Sequence, residues 1–70
     1  MGRGSAAAVA ILDKEIRAIC HDAGLRYEAV DALAADFAAG VPRLRHLSSP
    51  VLEALSHLLS VRERLLDQYP

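Results

Sequence analysis

Cys20, His21 and Asp22 stand side by side and supply the residue types of a nucleophile, a base and an orienting acid. A triad of that kind needs its side chains to converge on one point, whereas chain neighbours on a helix point about 100° apart. Cys20 also falls on an apolar stripe, so these residues read as a buried structural thiol beside two surface groups. His21, His46 and His57 could join Cys20 as four zinc-ligand types, but no pair has the i, i+4 helical spacing or C-x-x-C knuckle that holds a metal in a small domain. No enzymatic activity, metal site or cofactor is expected.

Charged residues in unusual places are more informative. On a helical projection Val51, Leu52, Leu55, Leu58, Leu59, Leu65, Leu66 and Tyr69 share one broad apolar face, and Arg62 falls in the middle of it. An arginine there must snorkel along the leucines to water, pair with a carboxylate, or mark surface that a partner covers, and the expected case is an arginine at the bundle's edge with its stem over the leucines. Asp13, Glu15, Asp31 and Asp36 are the carboxylates that neighbouring helices could bring to it. Arg43, Arg45 and His46 form a second feature, a short basic cluster next to an acidic helix. It reads as a solvated connector whose arginines meet Asp31 or Asp36.

The segment Leu55-Ser56-His57-Leu58-Leu59 resembles the LxxLL motif by which coactivators dock into a hydrophobic groove, with leucines at i, i+3 and i+4 on one face. A short bundle needs those leucines inside, so the motif is read as core. The partner-facing surface is expected further along, at Leu58, Arg62, Leu65, Leu66 and Tyr69, a mixture of leucine, arginine and tyrosine that suits an interface.

The elements that must position these groups are all helical. Val9, Leu12, Ile16, Ile19, Cys20 and Ala23 recur at three- and four-residue steps and predict a helix from about residue 6 to 21, capped by Ser5 and stopped by Gly24. Asp13 and Arg17 lie four apart and are expected to pair on its surface. Tyr27, Val30, Leu33, Ala34, Phe37, Ala38 and Val41 predict a second helix over about 26–39, closed by Gly40. Its many alanines invite close approach by neighbours, which marks it as the centre of the bundle. Pro42 limits residues 43–47 to a short turn, with Leu44 and Leu47 plugging the core. Ser49 as N-cap and Pro50 at the first helical position open a last helix over about 50–68.

Composition narrows the function classes. The chain has 70 residues, so it makes one small domain, over residues 6–70, behind a flexible tail at residues 1–5. Eight basic against nine acidic side chains give a net charge of −1, which does not favour general nucleic-acid affinity. A helix-turn-helix reading is the alternative, with the last helix as reader, but its first turn, Pro50-Val51-Leu52-Glu53, offers no Arg, Lys, Asn or Gln for base edges. One cysteine excludes an internal disulfide, and no apolar run reaches the roughly 18 residues of a membrane span, so an intracellular setting, cytoplasmic or nuclear, is expected. The expected fold is all-α, a small antiparallel helical bundle of three main helices plus a short turn-like helix. The expected function is a non-enzymatic protein-protein interaction module, for docking, adaptor or oligomerisation work. It would bind a protein partner or self-associate as a homodimer.

Overall fold

The computed structural model describes residues 2–68, with side chains from residue 6 onward, and these residues form three α-helices and one 3₁₀ turn without any strand. Helix α1 spans Gly2–Asp22, α2 spans Val30–Ala39, the 3₁₀ turn spans Pro42–His46 and α3 spans Ser49–Gln68.

Two glycines end the first two helices by the same hydrogen-bond pattern. At the end of α1, Gly24 takes φ 80°, its N–H donates to the His21 carbonyl, and the Leu25 N–H reaches back to Cys20. At the end of α2, Gly40 takes φ 65°, donates to Phe37, and the Val41 N–H reaches back to Asp36. Each is a Schellman motif, which needs a left-handed residue and satisfies carbonyls that the helix end leaves open. Both stops lie where the sequence places them.

The helix starts differ more. Helix α1 begins at Gly2 rather than near residue 6, so Ser5 lies inside it instead of capping it and residues 2–5 are helical rather than a tail. The alanines that follow are strong helix formers, and extending a nucleated helix adds one hydrogen bond per residue fixed. Helix α2 begins at Val30 rather than about residue 26. Ala29 holds an extended conformation (φ −126°, ψ 135°) and gives no side-chain cap. The residues before it are spent elsewhere, since the Tyr27 hydroxyl donates to Asp36 Oδ2 at 2.6 Å. At the start of α3, the Ser48 carbonyl already accepts from the Leu52 N–H, so helical bonding opens one residue earlier than expected.

The buried core is Ile16 and Cys20 from α1, Val30 and Leu33 from α2, Leu44 from the 3₁₀ turn and Leu55 from α3. Leu47 packs against it, together with Leu58 and Leu59 of the LxxLL-like segment. Helix α2 is not the centre of this arrangement: α1 packs chiefly on α3 and only lightly on α2. Length explains the difference. At 1.5 Å per residue α1 and α3 run about 30 Å, α2 about 15 Å, so two helices make the long seam and the third covers part of it. The molecule is accordingly elongated, 39 Å by about 20 Å.

Candidate functional site

Arg62 is neither an edge arginine nor an open surface group. Its Nε donates to Asp13 Oδ1 at 2.6 Å and its Nη2 to Asp31 Oδ1 at 2.9 Å, and its side chain is only 12% exposed. The guanidinium fork thus ties α3 to α1 with one nitrogen and to α2 with another, a use of its planar geometry that lysine could not copy. Burial disfavours its charge, but the hydrogen bonds to Asp13 and then Asp31 more than offset this and hold the group further on the protonated side than usual. Asp13 is therefore engaged with Arg62, and the expected surface pair with Arg17 does not form.

A second polar knot fixes the α1–α2 loop. Asp36 on α2 accepts from the Tyr27 hydroxyl and from Arg43 Nη2, and the Arg43 guanidinium carbon stands 5.0 Å from the centre of the Tyr27 ring. The Tyr27 bond first and the Arg43 bond second lower the Asp36 pKa below the ordinary carboxylate value. Partial burial, and then the Asp36 bond, raise that of Tyr27. Of the basic cluster expected at residues 43–46, Arg43 is thereby committed to Asp36, while Arg45 and His46 are exposed.

The remaining expected site residues separate. Leu58 is half-buried against the core, Leu65 is half-buried, Leu66 is 44% exposed, and Tyr69 lies outside the described residues. Val9, Leu12 and Leu65 are half-buried and Leu66 is exposed, and all four stand outside the group that packs on the core. Cys20 is 1% exposed while His21 and Asp22 are exposed, so the three do not converge. Burial raises the Cys20 thiol pKa, the opposite of nucleophile activation. Among the described residues no three of the His, Cys, Asp and Glu side chains gather into a metal-binding group. No described helix is long and apolar enough to cross a membrane.

One concave surface escaped the sequence reading. Lys14, Arg17 and His21 on α1 and Arg26 on the following loop line a single depression, with Leu25, Tyr27 and Glu28 completing its wall. The signal was present, because positions 14, 17 and 21 follow helical spacing on one face. It was hidden because Arg26, assigned to a helix, belongs to an extended loop.

No protein-family model, no curated protein and no solved structure matches this chain.

Proposed function

We propose that this protein is a non-enzymatic helical interaction module that associates through the far end of the α1–α3 seam, a second copy of the chain being its first partner. The observation that carries this reading is Leu66, 44% exposed on α3 past Arg62, together with Leu65 beside it and Val9 and Leu12 on α1, which are half-buried and stand outside the group that packs on the core. Arg62 marks the boundary of that surface and serves it from within, by holding the three helices in place. The Arg62–Asp13 pair joins the later part of α3 to the middle of α1, while Leu55, earlier in α3, shares a core with Ile16 and Cys20, later in α1; the two together support an antiparallel course for the helices. Two such exposed ends brought together about a twofold axis would bury leucine against leucine in a four-helix contact.

The helix-turn-helix alternative has less support. Val51 and Leu52, in the opening turn of α3, are half-buried, and Val51 packs against the core, which leaves Ser49, Pro50 and Glu53 exposed there and no arginine, lysine, asparagine or glutamine to read base edges. Sedimentation equilibrium of the chain across a wide concentration range tests the association reading. It is supported by a reversible dimer that Leu66→Glu converts to a folded monomer. A monomer at every concentration, with Leu66→Glu unchanged in mass and helicity, removes the self-associating form.

A further inference from the structure

The geometry points to a phosphate-binding site in the depression between the outer face of α1 and the α1–α2 loop, formed by Lys14, Arg17, His21 and Arg26. Arg43 and Arg62 are ion-paired to aspartates. Lys14, Arg17, Arg26, Arg45 and Arg64 have no carboxylate in ion-pair range among the described residues, and three of those five open onto this one hollow. Glu28 is the carboxylate on its wall, so three full positive charges face one negative in a protein whose net charge is −1. Such concentration of like charge raises local potential and is relieved by a bound anion.

The donor set selects the anion. Two arginine forks, an ammonium and an imidazole offer more N–H groups than the two oxygens of a carboxylate can accept, while a phosphate or diphosphate presents several oxygens and more than one charge. The site is also partly preorganised. Three of the four basic groups stand on one rigid helix, and the loop that brings Arg26 is pinned by the Tyr27 bond to Asp36 and the Arg43 guanidinium over the Tyr27 ring. This site lies on α1 and its loop and is independent of the association proposed for the far end of the seam.

Titration of the isotopically labelled full chain with inorganic phosphate, then pyrophosphate, followed by amide chemical shifts at fixed low ionic strength, tests it. Saturable shifts are expected around residues 14, 17, 21 and 26, with pyrophosphate the tighter ligand. The double variant R17Q/R26Q should weaken pyrophosphate at least tenfold, whereas R45Q should not. Both arginines are exposed, so the double variant should keep its helicity and melting temperature, which separates lost binding from lost structure. Non-saturating shifts spread equally to Arg45 and Arg64 would overturn the site as general surface attraction. Tighter binding of a duplex oligonucleotide without terminal phosphates than of pyrophosphate would also overturn it, in favour of backbone recognition.

Discussion

Removing the carboxylates around Arg62 one at a time should expose a steep inequality between them. Asp13 is 28% exposed and meets an arginine that is 12% exposed, so its bond is charge-assisted and partly shielded, a class of hydrogen bond worth about 1.5–3 kcal/mol. Asp31 is 83% exposed, and an ion pair with so open a partner contributes roughly 0.2–1 kcal/mol. Replacing Asp13 by Asn also leaves a largely desolvated guanidinium with one exposed counter-charge, a milder form of the roughly 3–5 kcal/mol that follows when a fully buried pair is broken. Asp13→Asn is therefore expected to cost about 2 kcal/mol and Asp31→Asn less than about 1 kcal/mol. At roughly 4–8 °C per kcal/mol for a domain of this size, the melting temperature falls by about 8–16 °C in the first case and by no more than about 8 °C in the second. Urea and thermal unfolding followed by circular dichroism at several salt concentrations measure both. Salt should erode the Asp31 contribution more than the Asp13 contribution. Equal costs or a larger cost for Asp31→Asn would refute the ranking by exposure, and two variants as stable as the parent chain would refute the three-helix tie itself.

Other consequences can be measured with the same chain. Leu55→Ala, at a side chain with 0% exposure, should lose about 2–5 kcal/mol in urea unfolding, whereas Ile11→Ala, at 65% exposure, should stay within about 0.5 kcal/mol of the parent. The Cys20 thiol should resist a thiol-specific disulfide reagent in the folded chain and react fully in denaturant; rapid reaction under native conditions would contradict its burial. The lowered Asp36 pKa makes its stabilising contribution fully present above the unfolded value of about 4, and lost as pH falls through the lower folded value. The stability difference between the parent and Asp36→Asn should therefore be constant near neutrality and vanish in acid; a difference that grows in acid would reverse the assigned sign.

Much of the fold was legible because it depends on local rules. Gly24 and Gly40 end helices for reasons contained in their own backbone freedom, and Pro42 and Pro50 restrict the chain without reference to anything distant. Leu44 plugging the core and Cys20 lying buried follow from apolar periodicity. The starts of α1 and α2 were harder, since a helix start is set by competition: an alanine run propagates backward through Ser5, while Tyr27 draws its segment away from helix to reach Asp36. Arg62 shows the same divide at the site. Its anomalous position and its four eligible carboxylates were readable, yet the choice of Asp13 and Asp31 depends on how the helices cross. Helix α2 looked central because of its alanines, but the seam is governed by helix length, and α2 is half as long as its neighbours.

The shortness of α2 also orders how the molecule comes apart. Ten residues with no side-chain N-cap are too few to persist as an isolated helix in water, so α2 exists by virtue of Val30 and Leu33 in the core and the tethers at Asp31 and Asp36. Helices α1 and α3 retain their mutual seam without it. The lowest-energy sub-global opening of the domain, above the fraying of helix ends, is therefore expected to be a hatch-like release of residues 30–39, which would appear as a block of amides that exchange with solvent ahead of global unfolding. A protein so small would in this way carry an internal hierarchy of stability, with an interior segment opening before the seam of the two long helices.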